Sequence, residues 1–352
     1  MAVKAYLNAV AGAVPDHDIH QPYVEWAAAR IADPRERALF ERMAERAGIA
    51  HRWSILPPTP AGGSPVAEGG FYAGAAPGTA ARMALYADAA PKLALKAIGN
   101  LGPLGRISHL VVASCTGFVA PGVDQIIAEA LGLGDVERTL IGFMGCYAAA
   151  AALRNAHHIV RSEPEARVLV VTVELSSLHL QFATDLEGLL AELQFGDGAA
   201  AALVTAEPVG FGIDAPFAVT LPESGELIRW SIGDSGFEMV LSGEVPGRIG
   251  TALRDDNVRA RILGDWAAGE VDAWAVHAGG RSILDAVERS LELPPERLAA
   301  SRRVLHDCGN MSSSTLMFVL RELLADPDAR KGVAIAFGPG LAAEGFRFER
   351  AG

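Results

Sequence analysis

A layered α/β architecture follows from three features of this 352-residue sequence. Runs rich in Val, Ile and Leu read as strands buried on both faces, helix-forming segments alternate with them, and small polar residues stand where one hands over to the other. The length exceeds what one hydrophobic core usually holds, so two domains or two fused halves are expected. The division falls at 1–205 and 206–352, because the grammar of strand, polar turn and helix starts again in the second part.

The chain opens with a short strand at 5–10, followed by charged helical sequence over about 23–47. Residues 57–77 are rich in Pro and Gly and read as an extended surface loop. A helix is expected at 86–99, and SHLVVA at 108–113 is a near-continuous strand ending in the small-residue loop Ser114-Cys115-Thr116-Gly117. A helix at 123–131 follows. Residues 139–144 form the next strand, and Gly145-Cys146 then opens an alanine-rich helix. Residues 167–173 make another buried strand ending in Glu174-Leu175-Ser176-Ser177. QFGDGAAAALV at 194–204 supplies a turn and a further strand. In the second part, 272–276 runs into His277-Ala278-Gly279-Gly280 and a helix at 281–291. Residues 303–306 run as a strand into Asp307-Cys308-Gly309-Asn310 and a helix at 311–324. A last strand, 331–337, ends in Gly338-Pro339-Gly340.

Composition excludes several function classes. Half the residues are apolar and a fifth are charged, which suits a compact enzyme and not a disordered chain. With 30 basic against 42 acidic residues the formal charge is −12, which opposes bulk electrostatic binding to nucleic acid or anionic membrane. No stretch reaches the about 20 apolar residues of a membrane span. The opening MAVKAYLNAVAGAVPDHDI lacks the basic-then-apolar pattern of a secretion signal. Three cysteines, at 115, 146 and 308, point to a reducing compartment with no disulfide framework, so a cytoplasmic location is expected. No CxxC or HExxH spacing suggests a metal site.

The chemistry centres on Cys146. A helix N-terminus carries about half a positive charge, which favours thiolate and lowers a Cys pKa from about 8.5. Cysteine is also a common buried packing residue, so from its own context Cys146 fits either an activated nucleophile or a small hydrophobe. His277 fits a satisfied core histidine or a catalytic group, and Asn310 fits a helix N-cap or a hydrogen-bond donor to substrate. All three are expected where a strand hands over to a helix, and ligands in open α/β sheets bind beyond the carboxyl ends of strands. Together, the His can hold the thiolate as an ion pair, and His and Asn donors can stabilise an oxyanion. His157 and His158 lie on the helix after Cys146, facing away, and His306 reads as a packing residue. Arg42 and Arg46 stand four apart on one helical face, which alone reads as a solvated surface.

FMGCYAAAAALR, AVHAGGRSILDAVE, LHDCGNMSSSTLMFVL and AFGPGL, in this order, resemble the signatures of type III polyketide synthases, the chalcone synthase-like family, and the similarity runs from about residue 3 to 348. The resemblance implies a thiolase-like αβαβα sandwich of two related halves working as a homodimer. It implies that Cys146 takes a starter acyl group from an acyl-CoA. His277 and Asn310 then promote decarboxylation of malonyl-CoA and stabilise the enolate that condenses with that group. No bound cofactor is implied, since the CoA thioesters are substrates. Phe195 matches one gatekeeper Phe between CoA tunnel and cavity. The second falls on Met239, which makes the gate softer and wider. Cys115, Thr116, Ser176, His179 and Ser312 match cavity-lining positions, and the resemblance also places Gly338, Pro339 and Gly340 of the AFGPGL signature at the cavity. Arg42 and Arg46 match residues gripping the CoA phosphates, with Leu39 at a third, normally basic, position. Gly279 and Gly280 would let the pantetheine pass close to backbone. Chalcone-forming members have Thr where Cys115 and His179 stand and Met where Ala120 stands, which argues against a chalcone product. The resemblance gives residues 57–77 no role.

Two other functions share the residue set. A β-ketoacyl-acyl-carrier-protein synthase III-like enzyme also uses Cys, His and Asn but draws its extender from a carrier protein. Cys, His, Asn is also the chain order of papain-like thiol proteases, which carry the Cys near the mature N-terminus and bear disulfides. A catalytically dead binding protein is disfavoured because all three residues remain.

Overall fold

The computed structural model of the chain describes residues 3–74 and 76–352. Met1 and Ala2 of the expected first half, and Ala75 of the 57–77 segment, lie outside the described residues. Up to residue 205 the elements are β1 (Ala5–Ala13), β2 (His17–Asp18), α1 (His20–Arg30), α2 (Pro34–Arg46), β3 (Trp53–Ser54), α3 (Thr79–Gly99), β4 (His109–Ser114), α4 (Val123–Ala130), β5 (Glu137–Gly142), α5 (Ala148–Ser162), β6 (Val168–Leu175), α6 (Leu186–Glu192) and β7 (Asp197–Thr205). Beyond it come β8 (Phe211–Thr220), β9 (Ile228–Gly233), β10 (Gly236–Leu241), α7 (Val245–Arg254), α8 (Asp256–Leu263), β11 (Ala273–Val276), α9 (Arg281–Ser290), α10 (Ala299–Cys308), α11 (Ser313–Ala325), β12 (Lys331–Gly338) and β13 (Ala342–Arg350).

One strand-pairing pattern occurs twice. In the first part β4 and β6 are parallel, β6 and β7 antiparallel, and β7 and β1 antiparallel. In the second part β11 and β12 are parallel, β12 and β13 antiparallel, and β13 and β8 antiparallel. The two sets join through a short β1–β8 pairing, Ala5 opposite Ile213, to give a nine-stranded sheet in the order β11-β12-β13-β8-β1-β7-β6-β4-β5. In each set a long buried helix connects the parallel pair, α5 in one and α11 in the other.

Those two helices form the middle layer. α5 packs against β4 and β6 of the first set and β13 of the second, and α11 packs against β1 and β7 as well as β11. A helix covered on all sides must be apolar or small all round. Accordingly Ala148–Leu153 are all buried in α5, and Ser313–Leu320 are all buried in α11. Alanine lets the helix backbone approach its neighbours closely. The outer layers are α3 and α4, over a core that includes Leu110, Val112 and Leu169, and α7, α9 and α10, over one that includes Trp274, Val276 and Leu284. The result is the five-layer αβαβα arrangement.

Several elements differ from expectation for identifiable reasons. The charged stretch 23–47 is two helices, because Asp33 caps α2 with its carboxylate on the Arg35 and Glu36 N–H groups and Pro34 occupies the first helical position. Residues 303–306 are not a strand. They are the last part of α10, whose buried Ala300, Val304 and Cys308 recur at helical spacing. Strand β12 is not the last, since β13 returns antiparallel to it. The β9–β10 hairpin and helices α6 to α8 complete segments for which no element was expected. The 139–144 strand is β5, an edge strand exposed along most of its length.

The close packing of the middle layer makes Ala152, which is fully buried, intolerant of bulk. Ala152→Leu should destabilise the fold by about 1–3 kcal/mol through overpacking. A lowered urea midpoint at unchanged slope would show this, and a wild-type midpoint would contradict the packing described.

Candidate active site

Cys146 sits in a 3-10 turn, Gly145–Tyr147, between β5 and α5. The turn is made by residues in the left-handed region, Phe143 at φ 59° and Gly145 at φ 74°. Gly145 is required twice over, since a Cβ there would lie 2.3 Å from Pro339 Cδ. Its N–H donates to Cys115 Sγ at 2.9 Å. Gly338 is equally tight, because a Cβ would meet the Tyr147 ring at 2.6 Å. The Gly338-Pro339-Gly340 loop therefore clamps the Cys146 turn, while Pro339 itself lines the cavity.

The half-buried thiol lines a cavity, so a ligand can reach it. Burial pushes it up to about 12. This overturns the expectation of a lowered pKa: Cys146 precedes α5 instead of starting it, and desolvation outweighs the helix terminus. Ser312 Oγ, 3.9 Å from Sγ, and the Asn310 amide are the polar groups at the thiol that favour its charged form.

His277 follows β11 directly, its N–H held by Ile335 O at 2.8 Å. The ring is 1% exposed, and neither ring nitrogen has a partner among the described residues. Burial drives its pKa down to about 3, so the imidazole is neutral.

Asn310 does not end a strand; it lies between α10 and α11. It is fixed there by a two-way backbone bridge, donating to Gln194 O at 2.8 Å and accepting from Gly196 N–H at 3.0 Å. Its Oδ1 accepts from Ser312 N–H at 2.8 Å, and its Nδ2 donates to Gly279 O at 3.2 Å, two residues from His277. It is not an N-cap, since Ser312 holds that position for α11 with a strained φ of 49°. Asn310 thus links the thiol, the backbone after His277 and the Ser312 turn.

The cavity measures about 390 Å³. Cys115, Thr116, Ser176 and His179 line it, as do Phe195, Met239 and Ser312, as expected of cavity positions. His179 is locked as the neutral Nε2–H tautomer: Nε2 donates to Thr116 O at 2.7 Å, Nδ1 accepts from Phe237 N–H at 3.0 Å, and the ring stacks on Phe237 at 4.3 Å. Burial lowers its pKa to about 4.

Other expected residues stand apart from the cavity. Arg42 and Arg46 are exposed on α2, where Arg46 O accepts from Arg281 Nη1 at 2.9 Å. Ala120 is exposed and does not line the cavity. Gly280 has a local reason to be glycine, since a Cβ would lie 2.1 Å from Gln194 Oε1, and one on Gly279 would lie 3.3 Å from His277 Nε2.

Three residues carry weight that the sequence did not assign. Glu174 accepts from Cys115 N–H at 2.9 Å, Thr116 Oγ at 2.9 Å and Ser313 Oγ at 2.5 Å, tying the Cys115 loop to α11. Burial raises its carboxyl to about 7. A lone acid ending a fully buried strand was the available signal. Asp197 accepts from Ile55 N–H and from Ser177 N–H and Oγ, fixing the loop beside the cavity. Trp230 donates to Cys115 O at 2.8 Å from the β9–β10 hairpin, and nothing local marked it.

Gly145→Ala should shift the Cys146 turn, because L-residues pay about 1–2 kcal/mol for left-handed backbone and Pro339 must move. Alkylation of Cys146 by iodoacetamide should slow at least about tenfold, as expected when a misplacement of roughly 1 Å costs up to a hundredfold. Wild-type alkylation would refute the clamp.

Residues 2–208 match the chalcone and stilbene synthase N-terminal domain, and residues 214–350 match the C-terminal domain of the same family. The chain is similar to bisdemethoxycurcumin synthase of Oryza sativa subsp. japonica, at 40% identity over 76% of this chain and 72% of that one. It is also similar to the alpha-pyrone synthesis polyketide synthase-like Pks18 of Mycobacterium tuberculosis, at 36% identity over the same shares. Among solved structures, PKS-I from the brown alga Ectocarpus siliculosus superposes with a TM-score of 0.86 at 30% identity, covering 99% of both chains. The C-terminal type III polyketide synthase domain of Steely1 from Dictyostelium superposes at 0.88, covering 99% of this chain and 100% of that one, and at 24% identity it supports the thiolase-like fold alone. A doubled strand pattern around two buried helices, and a family match along nearly the whole length, place this chain in the chalcone and stilbene synthase family, as a type III polyketide synthase.

Proposed function

We propose that Cys146 is the acyl-carrying nucleophile and that His277 and Asn310 serve both loading and condensation. The observation that carries this reading is the neutral, unpartnered imidazole of His277, with Asn310 bonded to the backbone two residues beyond it and favouring the charged form of the Cys146 thiol, which lines the cavity. A buried polar side chain without partners is costly unless a ligand supplies them.

In loading, the Cys146 proton passes to His277 as sulfur attacks the starter acyl-CoA carbonyl. A C–S bond to the enzyme forms, the C–S bond to CoA breaks, and His277 returns the proton to the CoA sulfur. Burial penalises either charge alone, so thiolate and imidazolium form together, each compensating the other. In extension, malonyl-CoA loses CO2 and its thioester oxygen takes the negative charge. Donors from His277 and Asn310 stabilise that enolate in a water-poor site. The enolate carbon attacks the Cys146 thioester, forming a C–C bond and releasing the thiolate. Repetition and cyclisation give a pyrone or phenolic polyketide. A malonyl or aliphatic starter is the reading favoured by flexible Met239 at the gate, and the similar Mycobacterium protein named for alpha-pyrone synthesis supports the pyrone.

Arg42 and Arg46 offer exposed charge for the CoA phosphates. A second copy of the chain would cover the edge strand β5 and the exposed Phe118 and Leu140. Two halves, 1–205 and 206–352, meet across the middle layer. A cytoplasmic location is supported by three unpaired cysteines, and no helix among the described residues is long and apolar enough to cross a membrane.

Incubation with malonyl-CoA and a panel of acyl-CoA starters should yield cyclised polyketides, identified by mass spectrometry, without any carrier protein. Activity only with malonyl-carrier protein would favour a ketoacyl synthase, and release of free acid and CoA alone a hydrolase. In the same assay Cys146→Ala should abolish product. Cys115→Ser should alter the product distribution without stopping condensation; complete loss of loading there would move the nucleophile.

A further inference from the structure

Residues 50–53, which no motif singles out, hold Asn310 from two sides. Ahead of Asn310 they grip the end of α10: Ala50 N–H and His51 N–H donate to His306 O at 2.8 and 3.1 Å, and Trp53 Nε1 donates to Asp307 O at 2.9 Å. Beside Asn310 runs the 194–196 segment that bridges it, so close that a Cβ on Gly196 would lie 3.3 Å from Trp53 N. The 50–53 stretch is itself anchored by the β2–β3 pairing, by Ile19 N–H donating to Arg52 O at 2.8 Å and by Arg52 N–H donating to Asp18 Oδ1 at 3.1 Å.

One side chain of this stretch touches both flanks. Arg52 is 2% exposed. Its stem lies against Gly309, where a Cβ would meet Arg52 Cγ at 2.8 Å and where the backbone is left-handed at φ 65°, so glycine lets the turn before Asn310 rest on the stem. Its head donates from Nη1 to Phe195 O at 2.8 Å and Glu192 O at 3.1 Å, and from Nε to His20 Nδ1 at 3.1 Å. The guanidinium also lies 4.6 Å from the Tyr23 ring centre, and Nη2 has no hydrogen-bond partner among the described residues. Burial lowers its pKa only to about 10, so it stays charged at neutral pH. A buried charge that is incompletely satisfied is costly to keep, which calls for a reason beyond filling space. Cys146 and His277 are held by other means: the first by the Gly338-Pro339-Gly340 clamp, the second by Ile335 O.

We propose that Arg52 is the positioning residue for Asn310: with its head on Phe195 O and its stem against Gly309, it fixes the backbone bridge that aims the Asn310 amide at the developing enolate. The assignment rests on the polyketide synthase reading above and deepens it by naming the residue that controls one of its two half-reactions. In that half-reaction the bond between the malonyl methylene carbon and its carboxylate breaks, CO2 leaves, and the electron pair spreads onto the thioester oxygen, where Asn310 Nδ2–H donates. With no acyl group to attack, the enolate carbon takes a proton from water and acetyl-CoA results. Loading draws mainly on the Cys146 thiol and the His277 ring, neither of which Arg52 holds. Loss of Arg52 therefore slows decarboxylation more than loading.

The test measures two rates in wild type, Arg52→Met and Arg52→Lys. One is conversion of malonyl-CoA to acetyl-CoA and CO2; the other is acylation of Cys146 without malonyl-CoA, by acetyl-, octanoyl- or 4-coumaroyl-CoA, whichever wild type takes fastest, followed by intact-protein mass spectrometry. Arg52→Met keeps an unbranched stem against Gly309 and removes every side-chain donor. It should lower kcat for decarboxylation by about 10- to 100-fold, the loss expected of a misplacement near 1 Å, while the malonyl-CoA KM and Cys146 acylation change less than about threefold. Arg52→Lys, with a donor on the same stem, should lose about three- to tenfold in decarboxylation at wild-type acylation. Unchanged decarboxylation, a fall in both rates by the same factor, or Arg52→Lys doing no better than Arg52→Met would overturn the proposal, since a residue that only supports the fold lowers both rates together. If Arg52→Met does not fold, Arg52→Lys decides, and a wild-type ratio of the two rates there overturns the proposal as well. If wild type does not decarboxylate malonyl-CoA or carries no acyl group, the synthase reading fails first; if wild type does both and the variants keep the ratio, this inference alone fails.

Discussion

Two helices packed between the strands of two similar half-sheets set everything else in this molecule. α5 and α11 touch strands of both halves, so their first parts, Ala148–Leu153 and Ser313–Leu320, are small or apolar and wholly buried, and packing fixes their positions. The residues just before them inherit that rigidity. Cys146 precedes α5 and the Asn310–Ser312 turn precedes α11, and α11 also touches the Cys146 turn. Cys146 and the Asn310–Ser312 turn therefore meet because the middle layer brings two helix beginnings together. His277, at the end of β11, is supplied by a strand that α11 packs against.

Enclosure then decides the electrostatics. A thiol pushed up to about 12 and an imidazole pushed down to about 3 are both neutral at rest, so charge in this site has to be made and balanced locally. The same exclusion of water strengthens any hydrogen bond to a developing oxyanion. Supporting groups follow this logic: Glu174 is held by three donors, and His179 is a fixed neutral ring between Thr116 and Phe237. Each secures a loop of the cavity wall, and the Glu174 carboxylate also helps to hold the Cys146 thiol protonated.

How much of this could be read from the sequence depends on how local the cause was. Strands such as β4, β6 and β7 were legible because continuous apolar runs allow few alternatives, and the Cys146 turn because Gly-Cys separates a strand pattern from a helix pattern. Asn310 was placed after a strand because Val304-Leu305 is too short a run to distinguish strand from helix; the helical spacing of Ala300, Val304 and Cys308 decides it. The direction of the Cys146 shift was misjudged because a local rule about helix ends was applied where burial dominates. Trp230 and the part of the cavity wall formed by Ser64, Pro65 and Val66 are tertiary facts, since neither position shows in its own segment what it will face. The family motifs carried Cys146, His277 and Asn310, and the fold alone revealed what closes the rest of the cavity.

The most direct test of the account is to map the acylated residue. The enzyme would be incubated with an acyl-CoA starter in the absence of malonyl-CoA, quenched in acid, digested and analysed by mass spectrometry. The account predicts one acyl group, carried by the peptide containing Cys146 and absent after prior alkylation of that thiol. Acylation at Cys115 or Cys308 instead, or a stable synthase activity with no acyl-enzyme at all, would contradict it.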